Sequence, residues 1–295
     1  NCIIFADEIY LELCYQKNDF TISKYCPDST IRGTSLSKTY ASGGWRCGWA
    51  TFPKNLQNLF DKINIISSSV YSCITTPLIP VLGYPMFIKS LQSFPKLNKW
   101  FFVISEDTLN NEVFVKSVKE FQFNYELISL KKTSQGQAES CYLAVKKIEK
   151  DTPFFVGPCD LELLNEIDLN TLFLNNEEIV ILSYNPKEVN FKSPEHYGWI
   201  EDNETFDVEK IEIKTIKTID KANSKIISGA FIFRNKDIFL KYYQAMVLKK
   251  IRVNNEYYID TLCSVALNAG SKIVSLNMSE VKSYGTPEEL RTLNE

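Results

Sequence analysis

The sequence predicts an α/β protein with more than one domain, and three features of the chain lead to that prediction. Its 295 residues suffice for about two domains. Hydrophobic residues make up 44% and charged residues 23%, the balance of a globular protein with a sizeable core. Short apolar runs alternate with amphipathic segments, which indicates strands and helices in layers around a largely parallel sheet.

Three short apolar runs near the beginning of the sequence are predicted strands. They cover residues 2–6, 30–36 and 45–52. Pro53 then opens an amphipathic helix that we expect to reach Ile66, because proline is favoured in the first helical turn. The run at residues 2–6 has the composition of a buried strand, so the sequence suggests truncation at the N-terminus.

Beyond a boundary predicted at residues 75–77, strands and helices alternate again. The charged stretch at residues 208–225 is expected to form a solvent-exposed strand pair, and residues 271–278 the last strand. The other predicted strands are residues 99–105, 125–130, 153–160, 177–184 and 225–234, and the predicted helices are residues 113–121, 137–149, 238–247 and 258–269.

Charge and composition argue against several classes of function. The net charge is −3 and there is no basic patch, so we expect no nucleic-acid partner. None of the eight cysteines forms a Cys-x-x-Cys pair, which argues for free thiols in a reducing cytoplasm rather than a zinc site. No apolar run is long enough for a membrane helix, and we expect no membrane partner. His196 is the only histidine, which argues against a hydrolase triad.

A lysine among hydroxyl residues is the most specific chemical pattern in the chain. Lys38 lies in the segment SLSKTYASGGWRCGW, with Ser35, Ser37 and Arg46 close in sequence. Pyridoxal phosphate needs an amine for a Schiff base and donors for its phosphate, which hydroxyls and a guanidinium provide. Asp7, at the end of the first predicted strand, is suited to keep the pyridinium nitrogen protonated.

The segments ADEIY and SLSKTYASGGWRCGWATFPKNL resemble the fold-type I aminotransferases of class I and II. The resemblance implies that residues 1–76 are a partial aminotransferase large-domain segment in which Lys38 is the catalytic Schiff-base lysine. It implies that Asp7 pairs with the pyridine nitrogen and Tyr10 with the ring hydroxyl. The implied phosphate ligands are Ser35, Ser37 and Arg46. Because only part of the family's pocket is matched, we expect pyridoxal phosphate binding to be weak or lost.

A second series of motifs begins at Pro77. In chain order it comprises TTPLIPVLGYPMFIKSL, TSQGQAESCYLAVKKIEKDTPFFVGPCDLELL, SPEHYGWIE, KIISGAFIFRNKDIF, NNEYYIDTLCSVALNAG and YGTPEEL. These motifs resemble the sugar-phosphate nucleotidyltransferases over residues 77–295. The resemblance implies a Rossmann-like α/β/α sandwich that lacks the family's first strand and glycine-rich loop. It also implies a nucleoside triphosphate and a small phosphorylated acceptor as binding partners.

Asp160 ends the predicted apolar strand PFFVGPCD. Nucleotidyl transfer requires charge neutralisation at the phosphates, and a divalent ion held by a carboxylate at a strand end supplies it. We therefore expect Asp160 to be a catalytic residue and a Mg²⁺ ligand. The alternative is an aspartate that caps a helix beginning at Leu161.

The nucleotidyltransferase resemblance also implies substrate contacts. Gln137 matches a region that approaches the nucleotide base and the bound sugar, although it would equally suit a plain helix start. Tyr197, Gly198 and Gly229 match positions at the acceptor. Asn255, Glu256 and Asp260 match a segment that shapes the acceptor pocket. Glu256 is also a second candidate Mg²⁺ ligand, with a solvated acid at a helix start as the alternative.

Two departures from the family predict impaired catalysis. Thr76 and Tyr84 stand where lysines are expected, and missing donors slow phosphoryl transfer. The sequence therefore predicts a transferase-derived chimera whose larger part is suited to activating a phosphorylated sugar or small metabolite. One alternative is an active nucleotidyltransferase whose sheet is completed by the N-terminal segment. Another is a non-catalytic protein that binds a nucleotide or interacts with another protein.

Overall fold

The computed structural model describes most of the chain from Leu78 onward and shorter stretches before it. The described residues are 3–7, 21–35, 48–51, 53, 55, 78–120, 124–148, 152–169, 172–187, 190, 194–215, 217, 220, 223–285 and 289–290. The chain divides into two compact units, Asn1–Ile74 and Thr75–Glu295. The domain boundary predicted after residue 76 falls among residues 56–77, outside the described residues.

The first unit contains a three-stranded sheet. Its strands are β1 (Ile4–Asp7), β2 (Thr30–Ser35) and β3 (Gly48–Thr51). β1 runs parallel to β2, and β3 runs antiparallel to β2. The three strands predicted in this part of the chain are thus confirmed, although their ends differ by a few residues. The helix predicted from Pro53 to Ile66 lies almost wholly outside the described residues.

The larger unit alternates strands and helices. Its strands are β4 (Pro80–Val81), β5 (Tyr84–Pro85), β6 (Trp100–Ser105), β7 (Tyr125–Leu130), β8 (Phe154–Val156), β9 (Leu161–Leu163), β10 (Ile179–Tyr184), β11 (Gly198–Asp202), β12 (Val208–Ile213), β13 (Ser224–Phe233), β14 (Ile273–Met278) and β15 (Val281–Ser283). Its α-helices are α1 (Met86–Ser93), α2 (Glu106–Leu109), α3 (Glu112–Glu120), α4 (Gln137–Val145), α5 (Lys236–Leu248) and α6 (Ile259–Asn268).

A six-stranded mixed sheet forms the centre of the larger unit. Its order is β12-β11-β13-β10-β14, and β8 also pairs with β13. The expectation of a largely parallel sheet is wrong, because among the described strands of this sheet only β10 and β14 run parallel to each other. No α-helix separates β10 from β13 within the described residues, so the chain returns in antiparallel strands. The helices α5 and α6 lie between β13 and β14 and provide the crossover that parallel pairing requires.

Both faces of this sheet are buried. Ile179 and Ile181 of β10 pack into a core formed with α4, α5 and α6. Val180 and Leu182, on the opposite face, pack into a second core formed with α1 and α3. This arrangement is the predicted α/β/α sandwich. Within the described residues, no helix is both long and apolar enough to span a bilayer.

Three two-stranded sheets complete the unit. β4 pairs with β5, β6 runs parallel to β7, and β9 runs antiparallel to β15. The last of these corrects the prediction that residues 271–278 are the final strand. The predicted exposed pair at residues 208–225 is also wrong, because β12 pairs with β11 and Val208 is buried.

Candidate functional site

Asp160 lies between two strands rather than at the tip of one. The predicted strand at residues 153–160 ends at Val156, and the chain becomes extended again only at Leu161. Pro158 interrupts the strand because proline has no backbone N–H to donate. The Asp160 carbonyl accepts a hydrogen bond from the Tyr284 backbone N–H at 2.8 Å. Asp160 therefore does not cap a helix, because Leu161 begins β9.

The Asp160 carboxylate shares its surroundings with a second carboxylate. Burial raises the pKa of Asp160, and the nearby charge of Glu289 raises it further. A β-carbon on Gly285 would lie 3.2 Å from Asp160 Oδ2 and 3.7 Å from Glu289 Oε2. The absence of a side chain at Gly285 thus leaves space beside both acids. Ser283 Oγ donates a hydrogen bond of 3.0 Å to Glu289 Oε2, which fixes that carboxylate.

Lys214 brings a positive charge to the same region. It follows β12 with a left-handed backbone, φ 57°, and its N–H donates to the Tyr197 carbonyl at 2.9 Å. Its ammonium donates to the His196 carbonyl at 2.8 Å and lies 5.5 Å from the centre of the Tyr258 ring. The charge of Lys214 lowers the pKa of Asp160 and of Asp260 against the larger effect of burial.

The charge of Lys214 lowers the pKa of both carboxylates, but the ammonium forms no salt bridge with either of them. Among the residues that the structure describes, no carboxylate oxygen lies within 4.0 Å of Lys214 Nζ. The site therefore brings one cation and several partly buried acids into the same region of the larger unit. This arrangement suits a phosphate with its counter-ion.

Gly198 lies against Asp260. It is buried at the start of β11, and a β-carbon there would overlap Asp260 Oδ2 and lie 3.3 Å from Asp260 Cγ. Its neighbour Tyr197 is half-buried and accepts a side-chain hydrogen bond from Asn190; burial is the main reason that its pKa is raised. The environment of Gly198 therefore indicates that it accommodates Asp260.

Gln137 and Glu256 lie on two segments that are hydrogen-bonded together. The Ala138 N–H donates to the Tyr257 carbonyl at 2.9 Å, and the Tyr257 N–H donates to the Gln135 carbonyl at 2.8 Å. Gln137 is the first residue of α4. Glu256 is exposed and accepts a hydrogen bond from Tyr258, whose pKa is raised to about 12, first by burial and then by Glu256.

Gly229 lies beside the loop that leads to Asp160. Its φ is +83°, and a β-carbon there would be 3.4 Å from the Pro158 side chain. The register between β10 and β13 shifts at this level, which indicates a bulge that bends β13 towards the loop. The described residues thus bring Asp160, Tyr197, Gly198 and Gly229 into one part of the larger unit.

The predicted metal ligands Asp160 and Glu256 lie among the described residues, whereas most of the predicted cofactor ligands do not. In the described parts of the chain, no group of three or more His, Cys, Asp or Glu side chains could hold a metal ion. Tyr10, Ser37, Lys38 and Arg46 lie outside the described residues, as do the side chains of Asp7 and Ser35. The pyridoxal phosphate site therefore stays a prediction.

Three residues of the site were not singled out from the sequence: Lys214, Tyr258 and Glu289. Lys214 is one of 33 Lys and Arg residues, and its position just after a strand was the only available signal. Tyr258 lies in the NNEYYID segment, where Asp260 was predicted at the acceptor pocket, but only the fold shows that the Tyr258 ring lies near Lys214 and that the Lys214 charge acts on Asp260. Glu289 lies 129 residues after Asp160, a separation that no sequence pattern bridges.

Comparison with known proteins agrees with a division of the chain. The family model for aminotransferase class I and II matches residues 1–90. A probable N-acetyl-LL-diaminopimelate aminotransferase of Bacillus subtilis is 35% identical over 75 residues, which are 25% of this chain and 19% of that protein. This chain spans about a fifth of the length of the curated relatives that it matches.

Solved structures resemble most of the chain. A nucleoside-diphosphate-sugar pyrophosphorylase from Vibrio cholerae has a TM-score of 0.61 at 18% identity, over 78% of this chain and 95% of that chain. An inositol-1-phosphate CTP transferase from T. maritima has a TM-score of 0.57 at 16% identity, over 77% and 91%. The chain therefore combines a segment similar to class I and II aminotransferases with the fold of sugar nucleotidyltransferases.

Proposed function

We propose that the larger unit binds a nucleoside triphosphate and a small phosphorylated acceptor, such as a sugar phosphate, and transfers the nucleotidyl group slowly. In this reaction an acceptor phosphate oxygen forms a bond to the α-phosphorus of the triphosphate. The bond from the α-phosphorus to the bridging oxygen breaks, and pyrophosphate leaves. The observation that carries the proposal is that the Asp160 and Glu289 carboxylates flank Gly285 and that the Lys214 charge acts on Asp160, within the nucleotidyltransferase fold.

Each of these residues has a role in the proposal. Lys214 donates a charge-assisted hydrogen bond to a phosphate oxygen and holds it in position for attack. Tyr197 borders the same space, and its carbonyl fixes the Lys214 backbone. Gln137, at the start of α4, supplies an amide for nucleotide recognition. The inner part of the site is partly screened from water, because Asp160 and Tyr184 are half-buried and burial raises the pKa of both.

Two carboxylates suit a magnesium ion in this site. Mg²⁺ is commonly held by one or two carboxylates together with substrate phosphates. Asp160 and Glu289 both border the space that Gly285 leaves open. Bound Mg²⁺ would neutralise the charge that develops on the phosphates. Glu256 is a weaker candidate ligand, because its carboxylate is engaged by Tyr258.

We infer slow turnover from the residues at the β4–β5 hairpin. Tyr84 is 51% exposed and stands where the family carries a lysine. The Lys89 ammonium lies 5.9 Å from the Tyr84 ring centre and 3.6 Å from Glu162 Oε1. Removing one preorganised donor from a transfer site typically lowers the rate about 10²–10³-fold. Whether the N-terminal segment completes the sheet of the larger unit stays an open alternative.

Pyrophosphate release tests the proposed reaction. The full chain is mixed with Mg²⁺, each common nucleoside triphosphate and a panel of sugar phosphates and amino-alcohol phosphates. We expect slow release with one pair, lost in Asp160→Asn and reduced about tenfold or more in Lys214→Ala. Lys210→Ala is the control, because Lys210 lies on β12, the strand that Lys214 follows, but pairs with Glu201 at the surface.

The outcomes separate the three alternatives. Release at rates typical of nucleotidyltransferases would contradict impairment and favour the active enzyme. Nucleotide binding by calorimetry without any release would favour a non-catalytic nucleotide-binding protein. Release that does not depend on Asp160 or Lys214 would overturn the site as proposed.

We also propose that Lys38 forms a Schiff base with pyridoxal phosphate, although weakly. The match of residues 1–90 to the aminotransferase family model supports this assignment. Borohydride reduction after addition of pyridoxal phosphate should label Lys38 above other lysines, and Lys38→Ala should abolish that label. Labelling spread over many lysines, unchanged by the substitution, would contradict the assignment.

A further inference from the structure

We propose that the first turn of α6 positions the Lys214 ammonium for phosphate binding, through the Tyr258 ring and the Asp260 carboxylate. This inference rests on the proposed function and adds two positioning residues to the same site. Neither residue needs to touch the phosphate.

Lys214 needs such support because little else fixes its side chain. A lysine ammonium is a compact charge on a flexible stem of four carbons. The hydrogen bond to the His196 carbonyl is the only one that Lys214 Nζ makes within the described residues. The left-handed backbone at Lys214 sets the direction in which the side chain leaves the strand but does not fix its end.

Tyr258 provides a surface for the ammonium. Its ring centre lies 5.5 Å from Lys214 Nζ, within the range of a cation–π interaction. The Tyr258 hydroxyl donates to Glu256, and this hydrogen bond restricts rotation of the tyrosine side chain. Glu256 thus acts on Lys214 through Tyr258.

Asp260 provides a partly buried carboxylate whose pKa the Lys214 charge lowers. It is the second residue of α6, where the helix dipole favours an acidic side chain. Its carboxylate packs against Gly198, which is paired across β11 and β12 with Ile213, the residue before Lys214. The space at Gly198 therefore fixes the carboxylate close to the point where Lys214 leaves the sheet. A charge screened from water attracts the ammonium more strongly than an exposed one would.

Binding of pyrophosphate with Mg²⁺ to the full chain tests the inference by calorimetry. We expect Asp260→Asn to weaken binding about three- to tenfold, Tyr258→Leu to weaken it about threefold, and Tyr258→Phe to have a smaller effect because the ring remains. The Asp237→Asn control should leave binding unchanged, since Asp237 is the second residue of α5 but is exposed.

A double-mutant cycle distinguishes positioning from a merely structural role. In a Lys214→Ala background, Asp260→Asn and Tyr258→Leu should have no further effect on pyrophosphate affinity. Thermal melting checks the fold of each variant, and Gly198→Ala, which displaces Asp260, is a second route to the same loss. Equal losses with and without Lys214, or tighter binding in Asp260→Asn through relief of repulsion, would overturn the inference. If the wild type binds no pyrophosphate, the proposed function fails and the inference fails with it.

Discussion

The six-stranded sheet and the two-stranded β6–β7 sheet differ in how deeply their strands are buried. β10 is buried at five of its six positions, and β13 is buried along most of its length. In contrast, every residue of β6 is only partly buried, although β6 and β7 run parallel. Parallel strands normally have both faces covered and neighbours on both sides. Within the described residues β6 pairs only with β7, and β8 pairs only with β13.

This difference separates the two halves of the proposed site. Tyr197, Lys214 and Asp260 are held by the complete sheet and by the helices packed on it. The segments that follow β6 and β7 rest on a sheet of two strands, which has less support. The contrast suggests that acceptor and phosphate contacts are more robust than the remaining nucleotide contacts.

The largest effect should come from a pair of phenylalanine truncations. Phe231 of β13 is 0% exposed, so Phe231→Ala should lower the free energy of unfolding by about 3–5 kcal/mol. Phe102→Ala in β6 should cost clearly less, because Phe102 is only partly buried. Urea denaturation followed by circular dichroism measures both values. Equal losses would contradict the comparison.

Gly136→Ala should weaken the connection between the two regions. Gly136 has φ 125° and ψ 176°, a conformation almost restricted to glycine, and a β-carbon there would lie 2.6 Å from the Tyr257 carbonyl oxygen. We expect destabilisation well above that of Gly270→Ala, whose β-carbon meets nothing within 4 Å and whose strain is about 1–2 kcal/mol. Similar melting temperatures for the two variants would show that the loop tolerates displacement.

The rates of thiol labelling should show the order in which different parts of the molecule open locally. Burial raises the pKa of Cys141 on α4 to about 12 and raises that of Cys263 on α6 well above its ordinary value. With iodoacetamide at pH 8, read out cysteine by cysteine by mass spectrometry, exposed Cys26 should react first. Cys141, on the helix beside β6, should follow, and Cys263 should be slowest. Faster labelling of Cys263 than of Cys141 would reverse the proposed order of stability.

The smallest expected effect is on the stability of the fold at acidic pH. Hydrogen bonds from Lys147 and Lys99 lower the pKa of Glu126 on β7 to about 2 from its ordinary 4.5. A lowered pKa stabilises the fold above pH 4.5, and this contribution is lost as the pH falls from 4.5 towards 2. Because Glu126 is at the surface, the effect should be slight. An NMR titration of Glu126 with a midpoint near 4.5 would contradict the pairing, and Glu126→Gln should remove the effect.

The sequence predicted the long elements of the larger unit well but not their order. The apolar runs that became β10 and β13 are distinctive, as are the helical patterns that became α5 and α6. The antiparallel order was missed because β11 was not recognised. β9 and β15 were missed because strands of three residues depend on their tertiary partners.

The candidate site was predicted only in part, because some of its features also depend on tertiary partners. Asp160 and the Tyr197–Gly198 pair were found because they lie in recognisable motifs. The role of Gly198 was not predicted, because its contact with Asp260 joins residues that are 62 positions apart in the sequence. Asp160 was assigned to the tip of a long strand because the sequence does not show that the strand ends at Val156.

The pairing of β9 with β15 has a consequence for synthesis of the chain. The Asp160 backbone is held by Tyr284, and its neighbour Leu161 pairs with Ser283. Ribosomes add residues at about 5–20 per second, and domains tend to fold as they emerge. The six-stranded sheet can form once residue 278 has emerged, whereas Asp160 gains its partners only with residues 281–289. The nascent protein should therefore possess its core before the surroundings of Asp160 are complete.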